Sequence, residues 1–104
     1  MKKIFAALLV IFLAGCTQTE YSLNDVCTSP EGASMKLLDA IQIAANSECA
    51  DEGTLTQIYN CNNVTGTWWI DMSVIDAEGC SPACVVSVED NSATVNWRCT
   101  GLIQ

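Results

Sequence analysis

The stretch TWWIDMSVI, residues 67–75, alternates: Trp68, Ile70, Met72 and Val74 fall on one side of an extended chain, Trp69, Asp71 and Ser73 on the other. Side chains on a strand point to opposite faces in turn, so this period of two predicts a β-strand with one apolar and one polar face. Working back, residues 55–61 (LTQIYNC) form a second candidate strand, and Asn62, Asn63 and Gly66 supply turn chemistry between the two. The pair is a hairpin. Working forward, residues 76–82 break the pattern with Gly79 and Pro82. Cys84, Val86 and Val88 then alternate up to Asp90-Asn91-Ser92, and Ala93, Val95, Trp97 and Cys99 alternate after it. This second hairpin, in its simplest register, sets Val86 opposite Val95 and Cys84 opposite Trp97, and leaves Cys99 near Ser81 and Pro82. On that register Trp97 belongs to the core and Cys99 bridges to Cys80 or Cys84.

Upstream of the strands the period lengthens. Residues 35–45 (MKLLDAIQIAA) place Leu37, Leu38, Ile41, Ala44 and Ala45 at three- and four-residue spacings, with Lys36, Asp39 and Gln42 on the other side. The pattern predicts an amphipathic helix, with Ser34 as its N-cap and Asn46-Ser47 as its stop. Ser29-Pro30-Glu31-Gly32 forms a turn leading into the helix or begins it one turn earlier. One amphipathic helix followed by four antiparallel strands, each with an apolar face to cover, is a two-layer α+β fold, the helix packed on a four-stranded antiparallel sheet. No internal repeat is present.

The chain has 104 residues and seven cysteines. Met1-Lys2-Lys3 is followed by an apolar run from Ile4 to Ala14 and then by Leu13-Ala14-Gly15-Cys16, the order of an export signal. As a helix the run reaches about 16 Å, half the ~30 Å thickness of a bilayer core, too short for a permanent span. The tetrapeptide Leu13-Ala14-Gly15-Cys16 resembles the lipobox of prokaryotic lipoproteins. The resemblance implies a diacylglyceryl group on the Cys16 thiol, cleavage just before it, and a membrane anchor of acyl chains such as palmitate. Two or more chains suffice for stable attachment, where one is marginal. In a Gram-negative cell the uncharged Thr17 after the cysteine points to the outer membrane, facing the periplasm. Residues 1–15 are thus expected to be a lipoprotein signal peptide, residues 16–26 the lipidated cysteine and a polar tether, and residues 27–104 a small disulfide-rich domain.

Cys27, Cys49, Cys61, Cys80, Cys84 and Cys99 remain, an even number in a small exported domain, so three structural disulfides are expected. A domain of this size buries only about 60% of its unfolded surface, and each bridge adds about 2–4 kcal/mol. Six cysteines allow fifteen pairings, and spacing alone does not choose among them.

Twelve acidic side chains oppose four basic ones, a formal charge of −8, and loss of Lys2 and Lys3 with the signal makes it −10. Phosphate binding needs clustered Lys and Arg, so nucleic acid is not an expected partner. The body of the chain is repelled by anionic lipid, so membrane attachment rests on Cys16 alone. With no histidine, triads and histidine-ligated zinc are excluded, no other nucleophile and base stand at useful spacing, and no cofactor is expected beyond the lipid on Cys16. The carboxylates Asp71, Asp76, Glu78, Glu89 and Asp90 match no EF-hand spacing. Asn63-Val64-Thr65 fits a glycosylation sequon but reads more simply as the hairpin turn.

The helix segment DAIQIA (residues 39–44), a Trp-containing strand and a final hairpin together resemble the PepSY and cystatin-like group of small domains. That resemblance implies a helix lying across a curled antiparallel sheet and a role in binding or inhibiting exported peptidases. Trp69, with Asp71 on the same polar strand face, is the candidate partner contact, since exposed Trp anchors many interfaces. The expected function is a non-enzymatic, membrane-anchored binding module for an exported protein or peptide. The alternatives are a structural or spacer lipoprotein without a tight ligand, and a weak divalent-cation binder.

Overall fold

The computed structural model describes residues 20–99. The expected export signal, Cys16 and the first part of the expected tether lie outside these described residues. The chain forms an α+β unit: β1 (Val26–Thr28), β2 (Ser34–Lys36), α1 (Leu37–Ala45), α2 (Glu48–Glu52), β3 (Thr54–Asn62), β4 (Thr67–Ser73), β5 (Ala83–Ser87) and β6 (Ala93–Asn96). The last four strands make an antiparallel meander in the order β3-β4-β5-β6, and β1 and β2 pair as a separate hairpin.

The apolar face read from residues 67–75 is the sheet's inner face. Trp68 and Ile70 are fully buried, as are Cys84 and Val86 on the neighbouring strand, and Met72 is nearly so. Against them pack Leu37, Ala40 and Ala44 from α1, Cys49 from α2, and Cys27 and Met35 from the small hairpin. Small residues at positions 40 and 44 let α1 lie close to the sheet, while Leu38, read as part of the buried face, stands 39% exposed.

Three expectations are corrected. The helix starts at Leu37, not after a Ser34 cap: Ser34 lies on β2 opposite Thr28, and Met35 is a strand residue. The first helical N–H groups are satisfied instead by backbone, Leu37 N–H donating to the Asp25 carbonyl (2.9 Å) and Leu38 N–H to that of Leu23 (3.0 Å). Residues 21–25, read as tether, therefore pack on the domain, and Tyr21 meets the Trp68 ring edge-on at 5.2 Å. Second, the final hairpin pairs Cys84 with Val95 and Val86 with Ala93, two residues from the expected register. Its turn is stabilised locally, with Asn91 in the left-handed region (φ 58°) and Ser87 N–H bonded to the Ser92 carbonyl. Third, β6 in consequence ends at Asn96, and Trp97 leaves the sheet with 38% exposure instead of entering the core.

Three disulfides staple the layers: Cys27–Cys61 ties the small hairpin to β3, Cys49–Cys84 ties α2 to β5, and Cys80–Cys99 ties the β4–β5 connection to the chain leaving β6. Of the two partners left open for Cys99, Cys80 is the one. The second helix exists to serve this scheme: Ser47 stops α1 by donating to the Ala44 carbonyl and caps α2 by accepting from Cys49 N–H at 3.1 Å.

Candidate functional site

Trp69 and Asp71 lie two residues apart on β4, so the pleat sets both on the outer face of the sheet, away from α1. The chain leaving β6 completes the site. Arg98 folds back with its guanidinium carbon 5.7 Å from the centre of the Trp69 ring. Its Nη2 donates to Asp71 Oδ1 at 3.0 Å and to the Pro82 carbonyl at 3.3 Å, and its Nε donates to the Ser81 carbonyl. Both charged side chains keep about a third of their surface in solvent, 34% for Arg98 and 35% for Asp71. One cation thus bridges an aromatic face and a carboxylate.

Trp69 itself is half-buried, and its indole N–H is satisfied by the Thr67 hydroxyl at 2.8 Å, which in turn shares a hydrogen bond with Thr65. Beside the ring a groove of about 330 Å³ runs towards β3, lined by Ile58, Tyr59, Asn60 and Asn62 as well as by Trp69, Asp71 and Arg98. That volume is at the lower end of ligand pockets and suits one long side chain with its flanking backbone.

The groove owes its wall to a bulge. Leu55 pairs with Met72 and Tyr59 with Ile70, so Thr56, Gln57 and Ile58 stand opposite Asp71 alone. Thr56 Oγ1 closes the bulge, donating to the Asp71 carbonyl at 2.8 Å and accepting from Ile58 N–H. Ile58 is pushed outwards and is 62% exposed. β3 is an end strand of the four-stranded sheet, and the Tyr21 hydroxyl donates to Asn60 Oδ1 at 3.4 Å beside the groove. The opposite edge is treated differently: on β6 the N–H of Val95 donates to the Glu48 carboxylate at 3.2 Å.

The chain matches no family model, no curated protein and no solved structure. The residues of the groove therefore carry the functional reading.

The remaining carboxylates do not converge. Glu89 accepts the hydroxyl of the buried Ser29, which pins the β1–β2 turn to the β5–β6 turn, and Asp90 accepts from Ser92. Among the described residues no three His, Cys, Asp or Glu side chains cluster as a metal site would require. Asn62, next to the sequon, accepts from Val64 N–H (3.0 Å) and Thr65 N–H (3.3 Å), the hydrogen bonding of a tight turn. A larger hollow, about 710 Å³, lies between α1 and the β5–β6 turn, with Asp39, Gln42, Asn46 and Asn91 at its walls. No aromatic side chain lines it.

The sequence singled out Trp69 and Asp71 but not Arg98. Arg98 is 27 positions from Asp71, and only the β6 exit, with Arg98 itself in the left-handed region (φ 46°), brings them together.

Proposed function

We propose that this protein is an exported, lipid-anchored binding module, tethered through Cys16, that holds a segment of another exported protein in the groove beside Trp69. The observation that carries the reading is the placing of a Trp on the outer sheet face. A large indole stands half-covered beside an open groove on the side of β3, an end strand of the four-stranded sheet, next to the outward-turned Ile58. Aromatic anchors flanked by polar groups are where binding energy concentrates, and an extended segment can add to an uncovered edge strand. The lipid anchor rests on Leu13-Ala14-Gly15-Cys16, and an acidic surface that anionic lipid repels fits a domain held by its lipid and facing soluble partners. The resemblance to PepSY and cystatin-like domains makes an exported peptidase the first partner to test.

A second reading, a structural lipoprotein without a tight ligand, draws on the same site. Arg98 already covers part of Trp69 and neutralises Asp71, as a purely architectural contact would.

Photocrosslinking separates the two. A benzophenone side chain at Ile58 in the full-length lipoprotein, activated in intact cells, should give a discrete crosslinked protein that Trp69→Ala abolishes. Crosslinks to nothing above background would leave the structural reading. Incorporation of radiolabelled palmitate, lost in Cys16→Ser, tests the anchor.

A further inference from the structure

We infer that Trp69 and Asp71 form a recognition site for a guanidinium or ammonium side chain of the partner, and that Arg98 occupies it as a displaceable internal plug. The inference rests on the binding-module reading and names the chemistry of its ligand.

A cation already fills the site. A π face and a carboxylate two residues apart on one strand create a local preference for positive charge, and the chain satisfies it with a cation of its own. Lys36 and Arg98 are the only basic side chains among the described residues, against twelve acidic ones. A surface so dominated by one sign draws basic partners from a distance and discourages acidic ones. Arg98 is a third exposed and its ion pair with Asp71 is open to solvent and salt, while Nε and Nη2 also donate to the Ser81 and Pro82 carbonyls, bonds that water replaces when the side chain swings out. The same groove is lined by Tyr59, Asn60 and Asn62, which gives an incoming chain contacts besides those of the plug.

An exposed ion pair and an exposed cation–π contact together favour the plugged arrangement by at least about threefold, and the bonds to the Ser81 and Pro82 carbonyls add to this. A ligand competing with the plug binds more weakly than the open site would by the same factor. Removing the plug should therefore strengthen binding by at least about threefold.

The test uses the full-length lipoprotein in neutral detergent, with the indole ¹⁵N–H signal of Trp69 as the readout. The probe is acetyl-Gly-Arg-Gly-amide, and the same peptide with citrulline, which has the shape of arginine without its charge, is the control. The arginine peptide should shift the Trp69 signal and the citrulline peptide should not. Arg98→Gln should tighten binding by the factor above, Arg98→Lys should bind as weakly as the natural protein, and adding Asp71→Asn to Arg98→Gln should remove the gain. Unchanged amide spectra and intact disulfides verify that each variant is folded. Should Arg98→Gln not fold, displacement in the natural protein decides, because excess arginine peptide must move the Arg98 Nε–H signal together with that of Trp69. Equal response to the two peptides overturns the inference. Crosslinking from Ile58 distinguishes the failures: a captured partner together with no preference for arginine sinks the cation site alone, whereas no partner and no preference sink both.

Discussion

The indole Nε1–H of Trp68 donates to the backbone carbonyl of Met35 at 2.9 Å, across 33 residues and inside the core. This bond explains why Met35 belongs to β2. As a strand residue its carbonyl points at the sheet, where the largest fully buried side chain needs an acceptor, and the helix can start only after it. Trp68→Phe keeps most of the apolar volume but leaves that carbonyl without its donor, at a cost of about 1–3 kcal/mol. Trp68→Ala adds a cavity and should cost about 3–5 kcal/mol. Urea denaturation followed by far-UV circular dichroism should rank natural, Phe and Ala in that order. A Phe variant as stable as the natural protein would show that the bond is not needed.

Gly66 closes the β3–β4 turn with φ at 69° and lies against the β1–β2 turn. A Cβ there would stand 2.5 Å from the Ser29 Cβ, and its own carbonyl accepts Val88 N–H. Gly66→Ala meets two penalties: about 1–2 kcal/mol for the left-handed backbone, and the clash with the Ser29 Cβ. Ser29→Gly removes that Cβ, and with it the hydroxyl bonded to Glu89, so the comparison is a double-mutant cycle: Gly66→Ala should cost less in the Ser29→Gly background than in the natural chain. An equal cost in both backgrounds would place the whole penalty in the backbone.

The strands β4 and β5 were legible because a period of two is local: Trp68, Ile70, Met72, Cys84 and Val86 announce their face within a few residues. The α+β class followed from adding the helix. The β1–β2 hairpin was not legible, because three residues per strand carry too little pattern and Met35 fits a helical period as well as a strand. Hairpin register depended on the left-handed Asn91, which no alternation reports. For the site, the spacing of Trp69 and Asp71 was readable on one strand, but the arrival of Arg98 was a tertiary event without a local signature. Disulfide pairing was hidden for the same reason.

Cys49–Cys84 and Cys80–Cys99 close loops of 35 and 19 residues, and chain entropy alone assigns each about 3–4 kcal/mol. Their surroundings separate them. Cys49 and Cys84 are fully buried beside Trp68 and Leu37 in the core, whereas Cys99 is exposed. Replacing Cys49 and Cys84 by Ala removes core volume as well as the bridge, so this pair should lower the midpoint of thermal unfolding further than Cys80 and Cys99 replaced by Ala. A dithiol reductant applied to the folded domain should open Cys80–Cys99 first, read by alkylation and mass of the labelled fragments. Labelling of Cys49 and Cys84 ahead of Cys80 and Cys99 would contradict the arrangement of the layers.

The fold resists protonation of Asp90. The Ser92 hydroxyl, 2.7 Å from Oδ1, and then the Ser87 hydroxyl hold its carboxyl below the ordinary value of 3.8. Because the folded value is the lower one, the ionised group supports the β5–β6 turn fully above pH 3.8, and that support disappears as the pH falls through the folded value. The group lies at the surface, so the effect is local and salt-sensitive. A ¹³C titration of the Asp90 carboxyl should give a midpoint below 3.8, and Ser92→Ala should move it upwards. Asp90→Asn should unfold with a shallower acid limb than the natural protein, since one fewer group takes up a proton on unfolding. A midpoint at or above 3.8 in the natural protein would mean that the Ser92 contact does not persist in solution, leaving the turn to Asn91 and to the Ser87 N–H bond to the Ser92 carbonyl.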